Sequence, residues 1–303
     1  MDGDQMSDGE RIFMVGQAQM RAGALPAALY LVATPIGNLS DITIRGLETL
    51  AAADVLACED TRVTRILLDR YGIRRKLMAY HEHNAAEAGP KLIAALNSGK
   101  SIALCSDAGT PLVSDPGFRL VGQVVEAGHR VVPIPGASST LAALSVAGLP
   151  SDAFFFAGFL PTRDGQRRTR LEEVARIPGT LIFFESPRRL AASLRSMADV
   201  LGDRPAAVAR ELTKSFEETR RATLGELALH YAEADTPKGE IVICVGSPLE
   251  EATPDVHDID RLLLDLARDM PAAKAAGEAA KMTGQPKQDL FRRLVELRDA
   301  KDG

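Results

Sequence analysis

Five times between Leu29 and Ala147 a short, mainly apolar run breaks off into a polar or glycine- and proline-bearing loop and then gives way to helical spacing. The runs cover 29–33, 54–58, 76–80, 102–105 and 130–134. Apolar runs of this length, bounded by turn residues, read as buried strands, and strand–helix alternation reads as a mostly parallel sheet. Such a sheet brings its strand tips to one edge, where open α/β folds bind ligands. The tip after 102–105 is the most heavily shaped. Ser106 and Asp107 are followed by Gly109, Pro111, Pro116 and Gly117, with a second Ser-Asp at Ser114 and Asp115. Glycine lets backbone approach a ligand and proline stiffens the loop that does so. Asp107 either accepts hydrogen bonds from a ligand's hydroxyls or amine, or only caps the loop or the helix from Phe118.

The other tips carry polar groups too. In the first loop Pro35 and Gly37 shape a tight turn or touch a ligand, and Asp41 is placed to cap a helix over 42–53. Neither GxGxxG nor GxxxxGK[ST] occurs, so the dinucleotide fingerprint and the P-loop are both absent. The second tip carries Glu59, Asp60, Thr61 and Arg62, which either cap the next helix or form a polar wall for a substrate hydroxyl or phosphate. His81 and His83 follow the third run without a third ligand nearby, which favours substrate contact or loop packing over a metal. After the fifth run, the small residues from Pro135 to Ser139 leave the N–H groups of a helix over 140–147 open to a carboxylate or phosphate.

Beyond a boundary at 148–151 the pattern changes. Strands are expected from Phe154, over 180–184, 206–212 and 241–245, with a helix over 224–233. Gly239 could let backbone approach a flat ring. Between Thr162 and Arg195 stand eight arginines (163, 167, 168, 170, 176, 188, 189, 195) against four acidic residues (164, 172, 173, 185), a local +4 in a chain of net charge -5. That excess is either a solvated helix face or a phosphate-backbone contact surface. The overall negative charge argues against a general nucleic-acid coat. The last stretch shows an amphipathic helix over 258–269, Pro271 and Pro286 at helix starts and Gly284 between, the helix-turn-helix pattern. Lys281, Lys287, Arg292, Arg293 and Arg298 against Asp289 and Glu296 fit either a bracing tail or nucleic-acid contact.

The remaining features bound the setting. The first residues hold Asp2, Asp4, Asp8 and Glu10 and no apolar core, unlike a secretory signal. They read as a mobile extension. No stretch is apolar enough to span a bilayer. Cys58, Cys105 and Cys244 are odd in number and lack CxxC spacing, which fits buried small hydrophobes in a reducing, cytoplasmic compartment. The expected organisation is a flexible extension (1–28), two α/β domains (29–150 and 151–250) and a helical tail (251–303).

The segments LVATPIGNLSDIT, CEDTR, YHEHN, SDAGTPLVSDPG, PIPGASS, ESPRR, ARELTKSFEE and KGEIVICV, in this order, resemble the bacterial family of ribosomal RNA small subunit methyltransferases I, within the tetrapyrrole methylase-like superfamily. The resemblance covers about 29–245, and the tail resembles that family's helix-turn-helix end. It implies two α/β domains of the tetrapyrrole methylase type (class III SAM methyltransferase) plus a C-terminal helix-turn-helix-like unit. It implies S-adenosyl-L-methionine in the cleft between the domains, a homodimer, and methylation of a cytidine ribose 2'-OH in the decoding region of 16S rRNA of the small ribosomal subunit. By motif position the donor contacts would be Pro35, Gly37, Asp107, Ala108, Thr110, Ala137 and Ser138, with Phe184 and Gly239 from the second domain. Superfamily relatives carry GxG in the first loop, where this chain has Pro35, Ile36 and Gly37. For the proton acceptor, strand-tip position suggests Asp60, Glu59 or Glu211, with Lys214 and Arg62 orienting ribose or phosphate. No metal is required. Two rivals are a methylase of a small tetrapyrrole, which would need neither the arginines nor the tail, and a non-catalytic RNA-binding module, which would not need the cluster at 59–62. The acidic total favours a structured particle over naked RNA.

Overall fold

The structure is a computed structural model that describes residues 11–112, 117–248 and 256–302. Ser114, Asp115 and Pro116 of the shaped loop, and residues 1–10, lie outside the described residues. The chain divides into two compact units, residues 1–247 and 248–303.

The first unit opens with a hairpin, β1 (Ile12–Val15) and β2 (Ala18–Arg21), joined through Gly16 at φ 60°. Phe13 is 1 % exposed and packs in the main core, and the Met14 N–H donates to the Tyr71 carbonyl at 2.8 Å. The expectation of a mobile extension over 1–28 is therefore corrected from residue 11 onward: the hairpin is a packed part of the unit.

Next come β3 (Leu29–Val32), α1 (Ile44–Ala52), β4 (Val55–Cys58), α2 (Thr61–Arg70), β5 (Leu77–Ala79), α3 (Ala85–Asn97), β6 (Ile102–Cys105), α4 (Phe118–Glu126), β7 (Val131–Ile134) and α5 (Ser139–Ala147). The five strands pair in parallel in the order β5-β4-β6-β3-β7. Their runs are apolar on both faces because both are covered. Leu47 and Leu50 of α1 and Leu67 and Leu68 of α2 lie in one core, and Leu92 and Leu96 of α3 and Leu120 and Val124 of α4 in the other. The cap of α1 is Thr43, whose hydroxyl accepts from Gly46 N at 3.0 Å. Asp41, expected to cap it, sits instead in a short 3-10 turn over Leu39–Asp41.

The second sheet comprises β8 (Phe154–Phe159), β9 (Thr180–Glu185), β10 (Pro205–Arg210), β11 (Glu218–Thr223) and β12 (Ile241–Val245) in the order β11-β10-β12-β9-β8. Only β8 and β9 run parallel. The helices α6 (Asp164–Val174), α7 (Leu190–Leu201) and α8 (Leu224–Glu233) contribute to one core with Leu181, Phe183, Ile241 and Ile243. The alternate residues Ile182, Ala207, Ala209, Val242 and Cys244 point the other way, against Ala143, Leu144 and Ala147 of α5. That period-two alternation places a helix of the first sheet on a face of the second, and the small side chains on both sides let them approach closely. All three cysteines are buried, and burial pushes the Cys105 and Cys244 thiols up to about 12.

The second unit is a three-helix bundle of α9 (Val256–Asp269), α10 (Ala272–Thr283) and α11 (Lys287–Asp302), with Gly284 left-handed at φ 70° closing α10. Its core joins Ile259, Leu263, Ala275, Ala276, Ala279 and Leu290. Arg293 of α11 grips Asp260 of α9 at 2.7 Å, while Arg292 with Asp289 and Lys281 with Glu278 form exposed pairs along single helices. Among the described residues no helix is long and apolar enough to cross a membrane.

Candidate functional site

The carboxyl ends of β3, β6 and β7 are laced together. Thr34 and Gly109 exchange backbone hydrogen bonds at 2.9 and 3.0 Å, and the Thr34 hydroxyl donates to the Ser106 carbonyl at 3.1 Å. The Thr110 hydroxyl donates to the Ala137 carbonyl at 3.3 Å. Gly109 holds φ 80°, where a side chain would be strained. These three loops form the floor of a cavity of about 390 Å³ whose roof is the second sheet.

The floor presents Ile36, Ala108 to Thr110, and Ser138 to Thr140 at the start of α5; the roof presents Phe159, Phe184 to Pro187, and Gly239 to Val242. Ser138 caps α5 through Leu141 N at 3.4 Å, and the helix opening carries a partial positive charge. Phe184 stands edge-on to Phe156 and Phe159, with ring centroids 4.8 and 5.5 Å away, which makes an aromatic wall. Buried Glu185 accepts from Ser193 at 2.5 Å and Ser186 N at 2.7 Å and pairs with Arg189. Arg189 also donates to the Leu160 carbonyl at 2.5 Å, which ties the loops after β8 and β9 together.

Thr140 is the telling residue. It is 6 % exposed, it lines this cavity, and its hydroxyl has no hydrogen-bond partner among the described residues. Leaving a buried hydroxyl unmet costs about 1–3 kcal/mol, so a ligand atom is the natural partner. The cavity thus offers aromatic and aliphatic surface for a flat ring, backbone N–H groups, and a waiting hydroxyl. Those features fit S-adenosyl-L-methionine. Thr140→Val, close in shape, should weaken uptake of that molecule by about five-fold, the worth of one ordinary hydrogen bond of ~1 kcal/mol, with the melting temperature unchanged or raised. Titration calorimetry measures it.

A second cavity of about 230 Å³ adjoins the first and shares Ile36, Ala108 and Glu240 with it. It is walled by Pro35 and Gly37, by Asp107, by Val63, Thr64, Ile66 and Leu67 of α2, and by Lys214. The residues expected to touch the donor are therefore divided. Ala108, Thr110, Ser138, Phe184 and Gly239 line the larger cavity; Ala108 reaches both; Pro35, Gly37 and Asp107 line the smaller. Ala137 contributes its carbonyl to the Thr110 bond. Sequence reasoning passed over Thr140, Ile36 and Glu240.

The loop after β10 spans the gap. Glu211 and Thr213 hold φ 51° and 65°, an uncommon strain for side-chain-bearing residues, and Thr213 accepts from Asn38 N at 3.2 Å. Lys214 bonds Glu211 at 2.7 Å and Glu240 at 3.0 Å, and its stem covers the bare face of Gly37. Glu211 is further tied to Glu240 N at 3.1 Å. The Lys214 hydrogen bond, first, and then that backbone bond hold its carboxyl below the usual range despite partial burial. A carboxylate so engaged is a poor proton acceptor.

Asp60 is engaged as well. It caps α2 through Arg62 N at 2.8 Å and pairs with the Arg62 guanidinium at 2.5 Å, and chiefly that side-chain bond pulls its carboxyl down to about 2. Asp60 thus serves as the cap of α2, and Arg62, its partner, lines neither cavity. Glu59 lies behind Asp107: burial, and then the Asp107 charge, raises its pKa, against an opposing pull from His81. Asp107 itself accepts from Asp60 N at 2.9 Å through one oxygen, and its other oxygen has no partner among the described residues. His81 and His83 pack with the loop, where His81 N donates to Asn84 at 2.9 Å, and no cluster of three metal-ligating side chains occurs among the described residues.

Half of the arginine cluster is engaged by neighbouring groups. Arg167 is buried against Asp164 and Ser196, and Arg168, Arg170 and Arg189 are ion-paired. Arg163, Arg188 and Arg195 are exposed and make no ion pair among the described residues. Arg163 and Arg188 follow the two loops that Arg189 ties together.

The family described as Tetrapyrrole (Corrin/Porphyrin) Methylases matches residues 28–228, and the RsmI C-terminal HTH domain matches 253–298. The chain is 69 % identical to a protein of Mesorhizobium japonicum named ribosomal RNA small subunit methyltransferase I, over 94 % of this chain and 97 % of that one. It is 46 % identical to the protein of the same name from Escherichia coli O157:H7, over 88 % of this chain and 94 % of that one. Among solved structures, uroporphyrin-III C-methyltransferase from Thermus thermophilus, complexed with S-adenosyl homocysteine, superposes with a TM-score of 0.50 at 20 % identity, over 72 % of this chain and 96 % of that one.

Proposed function

Because this chain belongs to the tetrapyrrole methylase family, and within it to the ribosomal RNA small subunit methyltransferases I, we propose that it transfers a methyl group from S-adenosyl-L-methionine to 16S rRNA of the small ribosomal subunit. The acceptor in this reading is a cytidine 2'-OH of the decoding region, and the enzyme is a cytoplasmic homodimer, as the family resemblance implies. The observation that carries the donor half is the larger cavity, with its aromatic wall, its open helix start and the unpartnered Thr140 hydroxyl.

The bound donor supplies a methyl group on a positively charged sulfur, a leaving group good enough that neither a metal nor a covalent nucleophile is needed. The chain's own residues have two tasks. They hold donor and acceptor in line, which can be worth roughly 7–11 kcal/mol, and they take the hydroxyl proton. Asp107 suits the second task. It stands where the two cavities adjoin, next to Ala108, which lines both, and it keeps one oxygen free. Lys214, held by Glu211 and Glu240, orients the incoming ribose.

The test is methylation of small subunits purified from cells that lack the modification, using labelled donor and mass spectrometry of nuclease digests. One 2'-O-methylcytidine per 16S rRNA is expected. A base-methylated product would overturn the ribose assignment, and no donor uptake in calorimetry would overturn the whole reading. The exposed arginines supply a further check. Replacing Arg163, Arg188 and Arg195 together by glutamine should make the salt dependence of subunit binding shallower by about two units in log K against log salt, since each lost phosphate contact removes ~0.7–0.9. Donor affinity should stay the same.

A further inference from the structure

We propose that the smaller cavity receives the acceptor nucleoside itself, its base lying on the apolar strip of α2 and its ribose turned toward Asp107 and Lys214. This rests on the methyltransferase reading above and assigns it a second subsite.

Two neighbouring cavities that share Ile36, Ala108 and Glu240 are what a transfer between two bound molecules requires. If the larger one takes the donor, the smaller one faces the methyl group. Its walls differ in character. One is α2, where Val63 is 40 % and Ile66 62 % exposed, three residues apart on one side of a helix whose other exposed residues, Arg62, Asp69 and Arg70, are charged. Leu67 continues that wall inward. Exposed aliphatic side chains on a charged helix gain nothing from water, and a base lifted out of its stack needs such a surface to lie against. The opposite wall carries Asp107, with its free oxygen, and the Lys214 ammonium. Those are the groups a ribose needs: an acceptor for the proton of its hydroxyl, and a donor to orient it, the ammonium that Glu211 and Glu240 hold in place. As the methyl group joins the hydroxyl oxygen and leaves sulfur with the bonding pair, the hydroxyl proton passes to the Asp107 carboxylate.

The surroundings of α2 suit an RNA strand. A separate groove is lined by Thr61, Arg62, Arg65 and Lys76. The Arg62 side chain is 89 % exposed, and Lys76 makes no ion pair among the described residues. Helix α2 thus offers an apolar strip to a base, and the groove beside it offers the Lys76 ammonium to a phosphate.

The experiment compares Ile66→Glu and Ile66→Leu in the full-length protein. Because Ile66 is largely exposed, both should melt like the parent. The glutamate variant should raise KM for unmodified small subunits at least ten-fold, the scale of losing one base contact, with donor affinity in calorimetry within two-fold of the parent. The leucine variant should keep the parent's KM. A photo-crosslinking amino acid at position 66 should attach to the nucleotide that becomes methylated, or to its immediate neighbour. Parent-like KM in the glutamate variant, or a crosslink to ribosomal protein or to distant RNA, overturns the subsite. If the parent itself binds no donor or transfers no methyl group, the function reading fails instead.

Discussion

Asp107→Asn is expected to lose about 10²–10⁴ of the turnover on small subunits, the usual worth of a positioned proton acceptor, while donor affinity changes little. Asparagine keeps an oxygen that can accept from Asp60 N, so the tip of β6 should hold its shape. What it loses is basicity. Single-turnover methylation and calorimetry together read the two quantities. If donor affinity falls by the same factor as turnover, Asp107 is a donor contact, as the motif resemblance implied, and the proton goes elsewhere. A second reading comes from Glu59. The Asp107 charge is one cause of its raised pKa, after burial, so removing that charge should move its titration downward toward the ordinary 4.5. Carboxyl NMR follows that shift directly.

Gly239→Ala should be the most damaging single-methyl change in the site. Gly239 holds φ 95°, and a Cβ there would fall inside the Glu211 carboxylate. Alanine would have to adopt a left-handed conformation and also push Glu211 off Lys214 and Glu240 N. Strain of this kind costs on the order of 1–3 kcal/mol, and a unit of this size loses about 2–4 °C of melting temperature per kcal/mol. A drop of about 2–12 °C is therefore expected. Donor affinity should fall at least ten-fold, because Gly239 and Glu240 form part of the roof. Parent-like melting and parent-like donor affinity would show that the strained loop can yield without cost.

Much of this was legible from residue order. The five strand–helix repeats, the shaped loops at 34–37, 106–111 and 135–138, and the apolar runs of the second half all became the expected elements, because each signal is local and agrees with its neighbours. The misses have particular causes. β11 reads Glu-Thr-Arg-Arg-Ala-Thr; it is an edge strand paired only with β10, so it carries charge where a central strand would be apolar. The hairpin at 12–21 did leave a signal, a two-residue turn at Gly16 and Gln17 between short runs, but the acidic residues before it hid that it docks. Asp60 and Asp107 look alike as strand-tip aspartates. Only the fold shows that one is committed to an arginine and a helix cap while the other keeps an oxygen free. Thr140 could not be singled out from sequence, since being buried without a partner depends on the packing of residues from both sheets.

The seating of α5 on the second sheet limits how the enzyme can breathe. A helix that follows the first sheet in sequence but is plugged into the second acts as a rivet through both halves. The halves cannot swing apart like a clamshell without tearing Ala143 and Ala147 from Ala207, Ala209 and Cys244. Entry and exit of small molecules then fall to the rim loops, and the turn at 148–151 lies within one compact unit.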